Sequence, residues 1–203
     1  IEPLLSGYKI GMQTGDIQMA MFNAYIYLTN NFISGQRHLS IVRKDLNLFG
    51  EQMVEYKQMV MNHLILPIQQ VVSNLLLSTG EPPIFVGKDE EQKRILAQAS
   101  SENNRFMASQ IFIFGVVEAY IFGDYELAAA LVQKRREIEQ KIAKKSCFYG
   151  MTEFFDGLTF LAMAHQSNDE KWILSANNSI SNVERYAKIC PSNCEHKLLL
   201  LQA

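Results

Sequence analysis

One short stretch near the end of the chain holds residue types that bind metals. Cys190, Cys194 and His196 lie close together, and zinc can use two thiolates and one imidazole, with Cys147 or water as a fourth ligand. The spacing lacks the C-x2-C pairs typical of strong zinc signals, and Pro191 interrupts it. Because free cysteine is among the most buried residue types, we expect ordinary buried or loop thiols here and no metal or other cofactor.

Three carboxylates have positions at which acid–base chemistry is conceivable. Glu118 lies in the most apolar helical stretch, and Glu153 and Asp156 are one helical turn apart. Burial or a neighbouring like charge could raise the pKa of such a group into the range of a general acid or base. For Glu118 neither a nucleophile nor a second acid is identifiable, and the string "FFDGLTFLA" around Asp156 is typical of a packing helix, so we interpret all three as packing residues. The alternative is an all-helical enzyme or small-ligand domain with a helix-lined pocket around Glu118 and Asp156.

The four histidines are dispersed, and none belongs to an H-E-x-x-H or Glu-x-x-His arrangement that would build a zinc or di-iron site. We interpret them as polar residues at the surface or at helix ends. They are His38, His63, His165 and His196.

Basic residues cluster on one predicted helix and could dock an acidic partner, a phosphate or nucleic acid. Base-stacking aromatic residues are not interleaved with them, and glutamates dilute them. The chain's formal net charge of -2 gives no general reason to expect nucleic acid. We therefore predict a solvated outer helix face and no nucleic-acid partner. The basic residues are Lys134, Arg135, Arg136, Lys141, Lys144 and Lys145.

The elements that must position these side chains are helices. Apolar residues recur with a period of 3.6 throughout the 203 residues, and no segment alternates with the period of a strand. We predict an all-α fold. The expected helices are 3–13, 16–33, 37–58, 60–78, 89–100, 103–121, 124–144, 148–165, 169–189 and 194–203.

Two apolar stretches, 59–77 and 106–122, are each interrupted by polar residues. Neither is long and uncharged enough for a spanning helix, so we expect buried helices and no membrane span. Three cysteines and the lack of a signal-peptide pattern favour a reducing, cytoplasmic location.

A Gly-Asp pair occurs twice in near-identical strings, "GDIQMA" and "GDYELA". Glycine tolerates the positive φ that ends a helix, and aspartate can cap the helix that follows. We predict that each pair is the turn of a helical hairpin and that the alanine four residues after the aspartate lets the two helices approach closely. The residues are Gly15, Asp16, Ala20, Gly123, Asp124 and Ala128.

The spacing of these strings is close to three repeat units of tetratricopeptide length with a small insertion. Two glycines and two prolines between 79 and 89 mark that insertion as a loop. We predict one helical-repeat segment of a longer protein, divided into a first section, 1–78, and a second section, 90–203.

The turn region resembles the tetratricopeptide pattern. Gly123, Tyr125 and Ala128 match its turn glycine, following aromatic residue and small residue. Val116 stands where a glycine is usual and Arg135 where an alanine is usual, so the resemblance implies divergent repeats. The fold it implies is a superhelical array of stacked antiparallel helix hairpins.

A wider resemblance covers most of the chain. The strings "TGDIQMAMFNAYIYLTNNFISGQ", "AYIFGDYELAAAL", "FFDGLTFLAMA" and "RYAKICPSNCEHKLLLLQA" are similar, in this order, to the helical linker of large signalling proteins of cyanobacteria, fungi, oomycetes and diatoms. In those proteins a kinase-like domain and a P-loop ATPase precede the linker, and a GAF domain with a histidine kinase or nucleotide cyclase follows it. The resemblance implies a non-catalytic interaction module with protein or peptide partners.

We expect a partner to bind the inner face of such an array. The last predicted helix also carries four leucines, "LLLL", which would be exposed and could support self-association. The expected inner-face residues are Tyr8, Met12, Asn23, Tyr27, Phe112 and Tyr120.

Overall fold

The computed structural model describes residues 2–77, 90–101, 104–141 and 148–203. In these ranges the chain is all-α, as predicted, and contains no strand. A short 3-10 helix, Phe148–Gly150, precedes the α-helix that begins at Met151. The α-helices are α1 Glu2–Thr14, α2 Ile17–Ser34, α3 Leu39–Glu55, α4 Met59–Leu76, α5 Glu90–Ser101, α6 Arg105–Ile121, α7 Tyr125–Glu139, α8 Met151–Ser167, α9 Glu170–Ile189 and α10 Pro191–Gln202.

Each predicted helix has its counterpart, and most ends agree to within about three residues, the usual error of helix boundaries. The largest difference is at the end of α7, which stops at Glu139 rather than 144. Residues 142–147, with Lys144, Lys145 and Cys147, lie outside the described ranges. At α10 the helix already begins at Pro191, because proline fits the first helical position, where no N–H is needed.

The chain divides into two compact units, Ile1–Ile111 and Phe112–Ala203. The division falls within α6, whereas the sequence places it at the loop 79–89. That loop lies outside the described residues, so its role as a boundary stays a prediction.

The first unit is built from hairpins. Helix α1 packs on α2, α3 packs on α4, and α2 contacts both α3 and α4. Gly11 and Ala20 allow the close approach of α1 and α2, since a Cβ added at Gly11 would lie 2.9 Å from the Cβ of Ala20. Leu28, Leu46 and Ile65, one from each of α2, α3 and α4, are fully buried, and each such side chain contributes about 1.5–3 kcal/mol of hydrophobic stabilisation.

The second unit repeats this pattern. Helix α7 packs on α8, α8 on α9, and α10 on both α8 and α9. Helices packed in sequence order as hairpins are consistent with a divergent helical-repeat architecture. The core of the unit is lined by Val116, Ala119, Ala128, Ala129, Leu131, Val132, Phe160, Trp172 and Ala176.

The two Gly-Asp turns have nearly the same geometry. Gly15 and Gly123 have φ values of +80° and +78°. Asp16 and Asp124 cap the following helices, their side chains accepting hydrogen bonds from the backbone N–H groups of Met19 and Leu127. Each turn therefore ends one helix and begins the next. The alanines of the two strings, Ala20 and Ala128, are both fully buried.

A third turn of this kind joins α8 to α9 without a glycine. Asn168 takes the left-handed conformation, φ +52°, and its backbone N–H donates to Ala164. Asp169 then caps α9 by accepting from the N–H of Lys171. Asparagine tolerates positive φ better than other residues with a side chain, so Asn-Asp replaces Gly-Asp here.

Candidate functional site

Five charged side chains from α7 and α8 form a cluster in the second unit. We call them the buried charge cluster: Arg135, Arg136, Glu139, Glu153 and Asp156. Arg135 and Asp156 are 1% and 0% exposed, so the centre of the cluster is shielded from bulk solvent.

The spacing of α7 explains why an arginine enters the core. Ala128, Val132, Arg135 and Glu139 follow one another at intervals of three and four residues, which places them on one face of the helix. The first two fill the hydrophobic core, and Arg135 continues the same stripe.

The predicted solvated face is therefore wrong for Arg135, although Lys134 beside it is exposed. The physical reason is that a buried aspartate on α8 provides the partner that makes burial of the guanidinium tolerable.

Asp156 is the centre of the cluster. Its Oδ2 accepts a hydrogen bond from Arg135 Nη2 at 2.6 Å and two from Arg136, from Nε at 2.9 Å and Nη2 at 2.7 Å. Hydrogen bonds between ionised groups are stronger than neutral ones. Asp156 thus joins two consecutive arginines of α7 to α8.

Arg136 connects the cluster to the next helix and to the aromatic core. Its Nη2 donates to Ser179 Oγ on α9 at 3.0 Å, and its guanidinium carbon lies 5.0 Å from the ring centre of Phe160. Phe160 in turn stacks on Trp172 with ring centres 5.7 Å apart. The cluster therefore links α7, α8 and α9.

Glu153 lies at the partly exposed edge of the cluster, beside Arg136. Its Oε2 lies 3.6 Å from Arg136 Nη2, and 23% of its side chain is exposed. Burial and the negative charge of Asp156 raise the pKa of Glu153, and the nearby arginines oppose this shift only in part. Three carboxylates share two arginines, so the cluster has one more negative than positive formal charge.

Some buried polar atoms of this region have no hydrogen-bond partner among the described residues. They include Arg135 Nε, Asp156 Oδ1 and Thr159 Oγ1. Each unsatisfied buried atom costs about 1–3 kcal/mol, and buried water commonly satisfies such groups. The cluster's strength therefore comes mainly from the three bonds to Asp156 Oδ2.

Both carboxylates named in the enzyme alternative are buried in the described part of the chain. Glu118 and Asp156 are each 0% exposed. Asp156 and Glu153 do converge on arginine donors, but they do so within packed helices. Chemically, this arrangement can fix the positions of three helices.

The aromatic residues expected on a partner-binding face mostly make contacts within the chain. Tyr8 donates to Gln52 Oε1 at 2.7 Å and packs edge-on against Phe49. Tyr120 contacts the rings of Tyr125 and Phe155.

Phe112 is partly buried against the core of the second unit. Met12 and Asn23 are half-buried, and Asn23 lies against Gly7.

Tyr27 is not available to a partner, because it is 4% exposed. Its hydroxyl donates to Asp45 Oδ2 at 2.9 Å and accepts a hydrogen bond from Arg37. The periodicity of α2 locates Tyr27 on an apolar face, but the packing of α3 decides that this face is covered.

Another buried tyrosine was not anticipated. The hydroxyl of Tyr25 donates to Gln110 Oε1 at 3.0 Å, and burial raises the pKa of Tyr25 to about 12. Tyr25 and Gln110 are both at most 2% exposed, so this bond ties α2 to the first half of α6 inside the first unit.

The cysteine and histidine residues near the chain end do not converge. Cys194 is buried, Cys190 is half-buried and accepts a hydrogen bond from Asn193, and His196 is exposed. In the described residues no three His, Cys, Asp or Glu side chains are grouped as metal ligands.

The leucines of α10 are not all exposed, contrary to the sequence-based expectation. Leu199 and Leu200 are 61% and 62% exposed, but Leu201 is 4% exposed. Leu201 packs on α8 at Gly157, where an added Cβ would lie 2.9 Å from Leu201 Cδ2. A glycine in "FFDGLTF" therefore makes room for the last helix.

Comparison with known proteins finds no match: no family model matches the chain, and no curated protein or solved structure is significantly similar to it. Among the described residues, no helix is both long enough and apolar enough to cross a membrane.

Two signals in the sequence point to the buried charge cluster. Arg135 occupies a position where the tetratricopeptide pattern has a small buried residue, and Asp156 is surrounded by apolar residues in "FFDGLTF". A charge at a core position of each of two neighbouring helices is the pattern of a buried ion pair. The pairing of Arg136 with the same carboxylate has no comparable signal, because Arg136 lies beside the stripe.

Proposed function

We propose that this chain is a non-catalytic helical-repeat module that binds protein or peptide partners, including neighbouring domains of the same polypeptide. The observation that carries the proposal is the burial of the carboxylates. Asp156 accepts hydrogen bonds from two arginines, and Glu118 is fully buried, so these acids act in helix packing. An enzyme or ligand pocket around the two carboxylates would need solvent access that both lack.

Exposed apolar side chains at the end of the second unit support a role in binding. Ile189 is 78% exposed, and Leu199 and Leu200 are each more than half exposed. Leu199 and Leu200 are consecutive exposed leucines on α10, and exposed apolar patches are typical of interaction sites. Self-association through α10 is one form that this binding would take.

The finer part of the proposal is that the module connects an ATPase or kinase to downstream signalling domains, in the cytoplasm. Its support is the order of the four strings that resemble such linkers. Stacked hairpins suit this task because each contacts only its neighbours, which favours coupling over distance.

The test uses the parent polypeptide and compares two surface variants. Leu199→Lys/Leu200→Lys removes the exposed leucines of α10, and Ile173→Lys/Leu174→Lys makes the same change at exposed positions of α9. We expect the first to uncouple ATP hydrolysis from the downstream enzymatic output while thermal unfolding stays unchanged, and the second to have a smaller effect.

A catalytic activity of the isolated chain that is lost in Glu118→Gln, with folding intact, would overturn the proposal. If the gene encodes no ATPase or kinase domain beside this segment, the proposed link to signalling domains is rejected.

A further inference from the structure

A groove on the surface of the first unit lies between α3 and α4 and has a volume of about 460 Å³. This volume falls within the roughly 300–1,000 Å³ of small-molecule pockets, so it can hold one long side chain and a neighbouring aliphatic group. The lining residues are Asn47, Gly50, Glu51, Val54, Glu55, Asn62 and Gln69.

The sequence of α3 explains the groove. Asn47, Gly50, Glu51, Val54 and Glu55 recur at intervals of three and four residues and form one stripe along the helix. The opposite stripe, with Val42, Leu46, Phe49 and Met53, is buried in the core.

Gly50 supplies the floor of the groove. A Cβ at this position would lie 3.1 Å from Gln69 Nε2 and 3.3 Å from Ile65 Cδ1. Gln69 is held in place because its Nε2 donates to the carbonyl of Leu46 at 3.2 Å. The floor is therefore closely packed and preformed.

Three side chains of the groove carry acceptor oxygens that make no hydrogen bond or ion pair within the described residues. Among the described residues, neither Glu51 nor Glu55 makes an ion pair or accepts a hydrogen bond, and the side-chain oxygen of Asn62 accepts none. Lys44 and Lys57, the cations nearest to them in sequence, form no ion pair with them. Two like charges four residues apart on a helix destabilise it slightly, so a bound cation would relieve a repulsion.

The chemistry of these groups selects the ligand. A guanidinium has five N–H donors and no acceptor, and it binds carboxylates in a planar, bidentate geometry. Val54, 52% exposed between the two glutamates, offers an aliphatic contact beside the charge. A ligand that satisfies both features carries an arginine next to an apolar side chain.

We infer that the α3–α4 groove is a docking site for an arginine side chain of a partner polypeptide, with a neighbouring aliphatic residue covering Val54. This inference rests on the proposed function and specifies the partner's chemistry. Charge complementarity decides the occupant: an acceptor-rich groove with two carboxylates binds a donor-rich cation and repels acidic segments.

The test is a titration of the full 203-residue chain with a designed peptide. The probe is an acetylated, amidated alanine-based helical peptide that carries arginine and leucine four residues apart. The matched probe replaces arginine with citrulline, which has nearly the same shape and no charge. Binding is followed by two-dimensional ¹H–¹⁵N NMR spectra.

We expect saturable shifts at Gly50, Val54 and the side-chain amides of Asn62 and Gln69 with the arginine peptide and not with the citrulline peptide. Glu51→Gln/Glu55→Gln should weaken binding roughly tenfold, because it removes both negative charges that attract the guanidinium.

The control Glu137→Gln/Glu195→Gln removes the same charge from exposed positions on α7 and α10, outside the groove lining, and should leave affinity within about twofold.

Equal binding of the citrulline peptide, equal binding to Glu51→Gln/Glu55→Gln, or shifts confined to residues outside α3 and α4 would overturn the inference. A second contrary result would come from sedimentation velocity. If the wild-type chain is a dimer and Glu51→Gln/Glu55→Gln dissociates it, the groove is occupied by a second copy of the chain. If the arginine peptide does not bind but Leu199→Lys/Leu200→Lys uncouples the parent protein, the docking inference is rejected and the proposed function is retained.

Discussion

Each unit of the protein contains an Arg–Asp pair with the same nitrogen–oxygen distance, 2.6 Å, but the two pairs differ in burial. Arg37 and Asp45 in the first unit have side chains 37% and 20% exposed. Arg135 and Asp156 in the second unit are 2% and 0% exposed. The distance alone therefore does not distinguish them.

The difference teaches how burial changes the effect of an ion pair. If its partner is removed, Arg37 can turn into water, and an exposed pair is worth about 0–1 kcal/mol. Arg135 has no such route, so removal of its partner would leave a buried, uncompensated charge. We therefore expect loss of one partner to destabilise the second unit much more than the first.

The largest expected effect comes from Asp156→Ala. We expect a loss of about 3–5 kcal/mol in the free energy of unfolding of the second unit, because Arg135 stays buried without a partner. Urea unfolding followed by fluorescence of Trp172, the single tryptophan, reports on this unit. Asp45→Ala should cost the first unit about 1–2 kcal/mol, including the hydrogen bond from Tyr27, as measured by hydrogen exchange. Equal losses would contradict the comparison.

Double-mutant cycles sharpen the contrast. Arg135→Ala and Asp156→Ala should show a coupling energy of about 2–3 kcal/mol, because the double variant removes the stranded charge that each single variant leaves. Arg37→Ala and Asp45→Ala should couple by about 0.5 kcal/mol. Both cycles use chemical unfolding at neutral pH. A coupling at Arg135 as small as that at Arg37 would show that water enters the cluster.

Glu153→Gln should change the pH dependence of the second unit. The pKa of Glu153 is raised in the folded state, so between its ordinary value and its folded value the folded unit binds more protons than the unfolded one. The stabilisation from this group is complete below the ordinary pKa and is lost as the pH rises through the folded pKa.

Relative to wild type, Glu153→Gln should therefore gain stability as the pH rises from 4.5 toward neutrality. Trp172 fluorescence in urea at several pH values measures this gain, and Glu137→Gln, an exposed glutamate on α7, is the control. A constant difference between wild type and Glu153→Gln over this range would exclude a raised pKa.

The smallest expected effects are at the caps, and here the units should behave alike. Asp16→Ala and Asp124→Ala should each cost about 1 kcal/mol, because each removes one bond to a free N–H at a helix start. Asparagine at either position should restore most of the stability. Local hydrogen exchange at α2 and α7 gives both values. Strongly unequal losses would show that one turn carries additional tertiary contacts.

Much of the fold follows from the sequence. The 3.6 period predicts ten helices, and the structure contains them with small changes at the ends. Caps such as Asp124 are predictable because their hydrogen bonds join residues three positions apart. Asn168 shows the limit of a glycine-based rule, since a different residue makes the same turn.

The candidate site is less predictable, because it depends on which helix faces meet. Glu153 and Asp156 are recognisable as a pair on one helix, but their arginine partners lie about twenty residues earlier on another. The prediction that Arg135 lies on a solvated helix face is wrong for this reason. The α3–α4 groove was likewise not foreseen, since Gly50 marks it only when α4 lies across it.

The sequence by itself determined what is local: helical periodicity, the Gly-Asp turns and the small alanines beside them, all set by interactions within a few residues. Only the tertiary structure decided which side chains are buried and what each charge contacts. Tyr27, Arg135 and Leu201 are covered because α3, α8 and the Gly157 position lie against them. Whether a side chain is buried or paired depends on both of the helix surfaces that meet. The local sequence of one helix specifies only its own surface.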